Sequence, residues 1–513
     1  MINVKKIKKS SHPVMYFIYL SIFVIFISAI AEWFHMQVTY DKLTTIAGEV
    51  ESTTISVNSL LSLDGLKFLL TSWYDNLVDF KPFASLLIGG IAFGIALKSG
   101  FFKTLFSKIT AKIPKFVIVF IFSLLCVVLS LDANTGYVLL LPLGAILFIS
   151  MNRNPIGGIA LAFSSISMGT GAGLFITSLD NSLASYTEAS SKLLDSEYSA
   201  MQNGNLIFII ITAILISVVS TIITEKFVVR RLGRNQIEEE EELIIEEKNE
   251  KKGLLASLIV TLVYLVPIVL MIIPTKNESF IGLLLDKSQT EYSKMLFSSD
   301  SLFMTNLIGI VSLLLVFQGF AFGVVSGTIK KIRDFVNFST SYLKTIGSIF
   351  VLIFFAAQLS AIVKESNIGP VLTGILSNMI AASKFSFVPL VLLILLVTMV
   401  LNIINPQSVS KWAIMAPNIM PAVMEANITP EFAQLLFRAG DSITNVITPV
   451  FMYFVIFIGF VEVYTKNKND FSIKKCYKII FPYFLAIMLL WILLIICWYI
   501  IGLPIGPSVY PSL

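Results

Sequence analysis

The chain has 513 residues, of which 56% are hydrophobic and 13% are charged, and its formal net charge is +5 at pH 7. This composition excludes a soluble globular protein and leaves room for many membrane spans. The cysteines lack the spacing of a zinc site or a disulfide framework, and the charge pattern calls for no nucleic-acid partner. We therefore expect an all-α polytopic membrane protein that requires no cofactor.

Apolar runs and a basic bias on one side predict nine transmembrane helices. The first run follows a group of lysines, and its spanning length favours a retained helix over a signal peptide. Most of the 37 Lys and Arg residues fall in alternate loops, which predicts the N-terminus inside and the C-terminus outside. The predicted spans are about 14–34, 82–99, 156–180, 205–224, 254–273, 301–328, 345–363, 430–464 and 479–501.

Segment 116–151 has two apolar arms around the polar centre Asp132-Ala133-Asn134-Thr135-Gly136, with basic residues at both ends. Each arm has roughly 16 residues, at or below the lower limit for a spanning helix, and the centre has the composition of a turn. We predict a re-entrant hairpin here. Two short spans joined by an outer turn are the alternative.

Segment 156–180 is predicted to be a helix broken by Gly169-Thr170-Gly171-Ala172-Gly173 and ending near Asp180. Glycine-rich interruptions at membrane depth are typical of the discontinuous helices that form transporter sites. Glycines that only permit close packing of helices are the alternative. The basic and acidic residues of 225–252 then predict a cytoplasmic linker between a first half, 1–224, and a second half, 253–513.

The second half repeats this order, with a predicted hairpin at 387–424 and a broken helix at 430–464. Pro142 and Pro155 are as far apart as Pro417 and Pro430, which aligns the two units along the sequence. The first unit is predicted to enter from inside and the second from outside. They would therefore form inverted repeats, which place a site between them near the middle of the bilayer.

Charged side chains inside the second broken helix mark the centre of the predicted site. Arg438 and Asp441 are three residues apart, so they are neighbours on a helix face and able to compensate each other, and Pro449 frees backbone acceptors beyond them. Arg438 has the planar fork that binds a carboxylate, and Asp441 is a candidate proton carrier. A purely structural ion pair is the alternative reading of the two.

Oxygen-rich tips and breaks suit a hard cation such as Na⁺. The candidates for ion binding in the first unit are Asp132, Asn134, Thr135 and Thr170, and those in the second are Asn402, Asn405, Ser408, Ser410, Asn445 and Thr448. Asp180 is either a coupling carboxylate or a plain interfacial residue. Trp412 offers a flat surface on which an aromatic ligand could stack, or it serves packing.

The series Asn402, Trp412, Pro430, Arg438, Asp441 and Pro449, with Arg438-Ala-Gly-Asp-Ser-Ile-Thr-Asn-Val-Ile-Thr-Pro449 at its centre, resembles the AbgT family of p-aminobenzoyl-glutamate transporters. The resemblance extends over the whole chain as nine spans and two re-entrant hairpins. Asp132-Ala-Asn-Thr135 is also similar to hairpin tips of the wider ion-transporter superfamily, which includes dicarboxylate importers. One departure is the first break, which lacks a Ser and an Asn expected from the family.

The resemblance implies a homodimeric secondary transporter of a bacterial inner membrane, driven by Na⁺ or H⁺. Its substrate would be p-aminobenzoyl-glutamate, a related aromatic carboxylate or a sulfonamide-like antimetabolite, moved by an elevator or another alternating-access mechanism. Asp180, Asn402, Trp412, Pro430, Arg438, Asp441 and Pro449 match positions that serve transport in the family. A sodium-coupled dicarboxylate or other organic-anion transporter is the second hypothesis. An ion channel is less well supported, because interrupted inverted repeats favour alternating access. A membrane enzyme is the least supported, because no catalytic or metal-ligand constellation is present.

Overall fold

The computed structural model describes residues 12–43, 50–201, 203–234, 246–275, 279–467 and 471–513. The N-terminal lysines and the acidic part of the predicted linker, 238–242, lie outside these residues.

The first half of the described chain is built from short and long helices with one pair of strands. In chain order the elements are α1 Pro13–Trp33, β1 Gln37–Leu43, β2 Val50–Ser56, α2 Leu63–Thr71, α3 Trp73–Val78, α4 Lys81–Lys98, α5 Phe101–Lys112, α6 Lys115–Val128, α7 Ala133–Thr135, α8 Leu141–Ser150, α9 Pro155–Gly169, α10 Ser178–Ser191, α11 Leu206–Ile223 and α12 Val229–Leu232. A 3₁₀ turn, Leu129–Leu131, precedes α7, and π-helical turns join α7 to α8 and α11 to α12.

The regular elements in the described residues of the second half are all helices, apart from an isolated β-bridge between Gly506 and Val509. Its helices are α13 Glu247–Met271, α14 Tyr292–Phe297, α15 Leu302–Thr305, α16 Leu307–Ser326, α17 Ile332–Thr345, α18 Gly347–Glu365, α19 Ile368–Ala382, α20 Phe387–Ile404, α21 Ser408–Glu425, α22 Pro430–Asn445, α23 Phe454–Val463 and α24 Ile473–Ile501.

Nine helices in the described residues are long and apolar enough to cross a membrane. Seven of them, α1, α4, α11 with α12, α13, α16, α18 and α24, fall on predicted spans. The other two are hairpin arms, Ala133–Ser150 and Phe387–Ile404. The predicted spans 156–180 and 430–464 are absent from this set because each is interrupted. The second contains the two shorter helices α22 and α23, whereas the first contains α9 and only the start of α10, so the prediction that this segment ends near Asp180 was wrong. The number of candidate spans in the described residues is the predicted nine, but two of these helices lie in the predicted hairpins and replace the two interrupted spans.

Two stretches of the chain have the same order of elements, and we call them the first and second units. The first unit, 115–191, is a helical hairpin with its tip at 131–136, followed by α9, a first break at 170–177, and α10. The second unit, 387–463, has a tip at 405–407, then α22, a second break at 446–453, and α23. Re-entry of the hairpins into the membrane and inversion of the units remain predictions.

The all-α prediction missed a small antiparallel sheet between α1 and α2. Residues 37–43 of β1 pair in register with residues 50–56 of β2, from Gln37 opposite Ser56 to Leu43 opposite Val50. The backbone N–H of Asp41 donates to Asn418 Oδ1 at 3.2 Å, which places the sheet against the second hairpin. The Val, Thr, Tyr and Ile residues of β1 and β2 favour strands, but the sequence prediction treated this region only as an acidic outer loop.

The last residues of the chain pack on the start of the second broken helix. The backbone N–H of Thr429, just before α22, donates to the carbonyl of Pro511 at 3.1 Å, and the Thr429 hydroxyl donates to the carbonyl of Tyr510 at 2.6 Å. The N–H of Phe208 in α11 donates to the carbonyl of Ile505 at 2.9 Å. This C-terminal segment, 503–511, therefore joins the beginning of α22 to α11.

Candidate transport site between the two breaks

Asp180 lies at the start of α10, and its two carboxylate oxygens have different partners. Oδ2 accepts the backbone N–H of Thr177 at 2.8 Å and the Thr177 hydroxyl at 2.7 Å, which closes a capping box at the helix N-terminus. Oδ1 accepts from Arg438 of the second unit. Only 3% of Asp180 is exposed, so its carboxylate is buried and paired with Arg438, and a role in coupling stays a prediction.

Arg438 reaches across from α22 to the first break. One guanidinium nitrogen binds Asp180, and the other donates to the carbonyl of Thr170, which α9 leaves free where it ends. The prediction that Arg438 and Asp441 compensate each other was therefore wrong, because Arg438 pairs with Asp180 instead. Spacing along one helix identifies possible neighbours, but Asp180 and Thr170 offer the fork two acceptors at once.

Asp441 pairs with Lys411 of the second hairpin, and both side chains are buried. Lys411 Nζ also donates to Asn402 Oδ1 at 2.7 Å and lies 5.6 Å from the centroid of the Phe437 ring. Asp441 Oδ2 has no hydrogen-bond partner. Two opposite charges thus satisfy each other inside the second unit, where an unpaired one would be costly.

Asn402 fixes the end of the first arm of the hairpin, α20, against the end of α22. Its Nδ2 donates to the carbonyl of Asp441 at 2.9 Å, to Thr444 Oγ1 at 3.1 Å and to Asn445 Oδ1 at 2.8 Å. Asn445 Nδ2 in turn donates to Thr170 Oγ1 at 3.2 Å in the first break. A continuous polar network therefore runs from the second tip to the first break.

The close approach of the units requires a glycine at position 171. A Cβ there would lie 2.5 Å from Ser442 Oγ and 3.0 Å from the carbonyl oxygen of Arg438. At Gly173, by contrast, the nearest heavy atom to such a Cβ is 3.8 Å away. The glycines of the first break thus serve close packing at one position at least, and this packing brings Thr170 within reach of Arg438.

The side chains of the first tip are occupied in local turns and in a contact with the second break. Asp132 accepts the backbone N–H of Thr135 at 3.1 Å and also its hydroxyl, so it caps the short helix α7. Asn134 Oδ1 accepts from the hydroxyl of Tyr453 at 2.6 Å. The Tyr453 ring stacks on Tyr137 with centroids 4.5 Å apart.

Trp412 is fully buried and joins three helices rather than presenting a free face. Its Nε1 donates to Thr187 Oγ1 at 3.0 Å and to the carbonyl of Leu183 at 3.2 Å, both in α10. Its ring lies 4.8 Å from that of Phe437 in α22. In this conformation the indole packs the second hairpin on the first unit, and its surface is closed to a stacking ligand.

The remaining candidates lie at the second tip and around the second helix break. Asn405 is buried, Ser408 and Ser410 are half-buried in the first turn of α21, and Pro430 is the first residue of α22. Thr448 Oγ1 donates to the carbonyl of Thr444 at 2.7 Å, next to Pro449. The carbonyls left free by the second break thus have a side-chain donor close by.

A cavity of about 170 Å³ separates the second tip from the second break and α18. Polar side chains and aromatic rings contribute to its wall, and the lining includes Lys364, Asn405, Gln407, Phe451 and Tyr453. It is smaller than the ~300–1,000 Å³ typical of ligand pockets.

Sequence reasoning assigned no role to Lys411, Tyr453 or Thr187. Lys411 has the same signal as Arg438, a basic residue within a largely apolar segment, and this signal could have identified it. Tyr453 and Thr187 had no such signal, because their partners come from distant parts of the chain.

Comparisons with known proteins find similarity to one transporter family over almost the whole chain. The model of the AbgT putative transporter family matches residues 4–513. The p-aminobenzoyl-glutamate transport protein of Escherichia coli K12 is 26% identical over 511 residues, covering 98% of this chain and 95% of that protein.

Two solved structures align over nearly the whole chain, each with a TM-score of 0.49. The YdaH transporter of Alcanivorax borkumensis is 28% identical, over 97% of this chain and 100% of that one. MtrF of Neisseria gonorrhoeae, described with a class of antimetabolite efflux pumps, is 27% identical and covers 98% of both chains. On the family match, this chain belongs to the AbgT family of multi-pass membrane transporters and is not an enzyme.

Proposed function

We propose that the chain is an ion-coupled secondary transporter of p-aminobenzoyl-glutamate or of related aromatic carboxylates and sulfonamide-like antimetabolites. The full-length similarity to a p-aminobenzoyl-glutamate transport protein supports this substrate class. The proposed mechanism is alternating access, of the elevator type, in a homodimer in a bacterial inner membrane. The N-terminus would be inside and the C-terminus outside.

The observation that carries the proposal is the position of Arg438 between the two units. Its guanidinium contacts Asp180 and the Thr170 carbonyl across the interface of the breaks. A substrate carboxylate has the same geometry as the Asp180 carboxylate and would compete for the same fork. Substrate binding would then exchange a contact between the units for a contact with the ligand.

The cavity beside the second tip supports an aromatic acid as the ligand. Its wall combines aromatic rings, Phe451 and Tyr453, with amides and the Lys364 ammonium. A ligand with a benzoyl ring and carboxylates needs both kinds of surface. Because the cavity is small and lies between the second tip, the second break, α18 and α19, a whole substrate would fit only after these elements move apart.

The proposed coupling ion is Na⁺ or H⁺, and Asp441 is the proposed point of action of H⁺. This carboxylate is buried, has one oxygen without a partner, and belongs to the network that reaches the first break. A change in its charge or its partner would therefore alter the contact between the units.

Transport in proteoliposomes tests the proposal. Counterflow of labelled p-aminobenzoyl-glutamate should occur with purified protein and persist in excess succinate. Sodium and proton gradients, imposed and collapsed one at a time, should each be tested for stimulation of net uptake. Arg438→Lys serves as the matched variant, since it keeps the positive charge and removes the fork.

Exchange of labelled succinate without exchange of p-aminobenzoyl-glutamate would instead support the dicarboxylate hypothesis. Ion conduction in a planar bilayer far above the turnover of a transporter would support a channel. Uptake of p-aminobenzoyl-glutamate that responds to neither gradient would reject ion coupling.

A further inference from the structure

We propose that the Lys411 ammonium is a built-in cation that occupies the cation site of the second unit and excludes Na⁺ from it. This inference rests on the proposed function only in treating the network as part of the transport path. It concerns a residue for which the sequence indicated no role.

The surroundings of Lys411 Nζ are those of a bound monovalent cation. The ammonium is fully buried, and it donates to two side-chain oxygens, Asn402 Oδ1 at 2.7 Å and an oxygen of the Asp441 carboxylate. The face of the Phe437 ring lies 5.6 Å away on another side. Oxygen ligands, one of them anionic, are also what a hard metal cation prefers.

The two oxygens are fixed in place before any ligand arrives. The Asn402 amide group makes three donor contacts to α22, so its Oδ1 can only face Lys411. Asp441 lies in the C-terminal part of α22, where the Ser408 side chain interacts with its carboxylate, and its second oxygen is buried without a hydrogen bond of normal geometry. A buried carboxylate with an unused oxygen has room in its coordination for a cation, and the lysine side chain supplies one from within the chain.

The local charge balance explains why a second cation would be excluded. The charged side chains around the network are Asp441 with Lys411 and Asp180 with Arg438, two anions and two cations. All four are buried. A Na⁺ ion beside Asp441 would leave one uncompensated positive charge in this region, which is strongly unfavourable at low dielectric.

Removal of the ammonium should therefore convert the site into one for Na⁺. In Lys411→Ala, Asp441 loses its counter-charge, and the space of the lysine side chain becomes available to an ion and water. The purified full-length variant is expected to bind one more Na⁺ per chain than the unmodified protein, measured with ²²Na⁺ in detergent. Its thermal midpoint should rise in NaCl relative to the same concentration of N-methylglucamine chloride.

Two matched variants test whether the additional Na⁺ bound by Lys411→Ala lies at this site. Lys411→Arg keeps a positive charge and should gain no Na⁺. Lys411→Ala combined with Asp441→Asn removes the anion, and the additional Na⁺ should disappear. An unchanged Na⁺ count in Lys411→Ala, or a gain that survives Asp441→Asn, would overturn the proposal.

A second comparison covers the case in which Lys411→Ala does not fold. The double variant Lys411→Met, Asp441→Asn replaces the ion pair with neutral groups of similar size. If the ammonium already fills the site, this variant and the unmodified protein should bind the same number of Na⁺ ions. The loss of one Na⁺ in the double variant would show that Na⁺ was bound at Asp441 in spite of Lys411.

These binding measurements need no substrate, so they are separate from the test of the proposed function. A protein that exchanges p-aminobenzoyl-glutamate but gains no Na⁺ in Lys411→Ala would refute only the built-in cation. A protein that gains Na⁺ but exchanges no p-aminobenzoyl-glutamate would leave the cation site intact and refute the proposed substrate.

Discussion

The first and second units share an order of elements but carry their charges differently. At the tip of the first hairpin, Asp132 caps a short helix. At the corresponding end of the second unit, Lys411, Asn402 and Asp441 form a buried charged cluster. The Arg438 guanidinium of the second unit then binds the first break. The first unit thus contributes acceptors, among them the Asp180 carboxylate, and the second unit contributes both buried cations, Lys411 and Arg438.

Of the substitutions that test this difference between the units, Asp441→Asn should have the largest effect on stability and on coupled uptake. The substitution leaves the Lys411 ammonium buried without its counter-charge, which is expected to cost about 3–5 kcal/mol of stability. Coupled uptake in proteoliposomes should fall to background while dimer assembly, measured by size-exclusion chromatography with light scattering, persists.

The double variant with Lys411→Met is the control for Asp441→Asn. It should recover most of the lost thermal stability but no coupled uptake, which separates folding from coupling. Normal uptake by Asp441→Asn would remove Asp441 from any coupling role.

Arg438→Lys should have the next largest effect, on substrate affinity. A lysine can bind Asp180 or the Thr170 carbonyl but lacks the planar fork that reaches both. Loss of one charge-assisted hydrogen bond, about 1.5–3 kcal/mol, corresponds to a KM raised about tenfold or more. The measurement is initial uptake rate against substrate concentration. An unchanged KM with a reduced maximal rate would place Arg438 in the movement of the units and not in substrate binding.

Gly171→Ala should weaken the contact between the two units with a moderate loss of stability. The new methyl group would meet Ser442 Oγ at 2.5 Å, and overpacking of this kind costs about 1–3 kcal/mol. The thermal midpoint of the purified protein measures the loss. Gly173→Ala is the matched control, because its Cβ would have no heavy atom nearer than 3.8 Å. Equal destabilisation by both variants would show that the break needs glycine for its backbone conformation.

Asp132→Asn should have the smallest effect on stability and on coupled uptake, because the buried cations belong to the second unit. Asn is as good a helix cap as Asp, so stability should change by less than about 0.5 kcal/mol. Coupled uptake should be nearly unchanged. A loss of coupled uptake as complete as in Asp441→Asn would show that the first tip also carries a coupling charge.

The sequence allowed the hairpins and the breaks to be anticipated because their signals are local. Prolines, glycines and short apolar arms act on the backbone within a few residues, and the observed breaks begin just after Gly169 and Asn445. Charges in apolar segments likewise identified Arg438 and Asp441, since burial of a charge is costly wherever it occurs.

The partners of those charges could not be predicted from spacing along one helix. Arg438 and Asp180 are 258 positions apart, and Lys411 and Asp441 are 30 apart. Their pairing depends on the packing of α22 against the first break and on the orientation of the second hairpin. The sheet of β1 and β2 was missed for a related reason, because it packs on Asn418 far along the chain.

The attachment of residues 503–511 to Thr429 and Phe208 has a consequence for biosynthesis. The N-terminal end of α22 acquires its last hydrogen bonds from a segment that leaves the ribosome about eighty residues later. Until that segment is synthesised, the helix that carries Arg438 and Asp441 lacks the hydrogen bonds of Thr429 to the C-terminal segment, whether it is in the insertion machinery or in the bilayer. Stop codons placed between Gly502 and Pro511 should therefore produce chains that insert normally but are degraded faster in the cell.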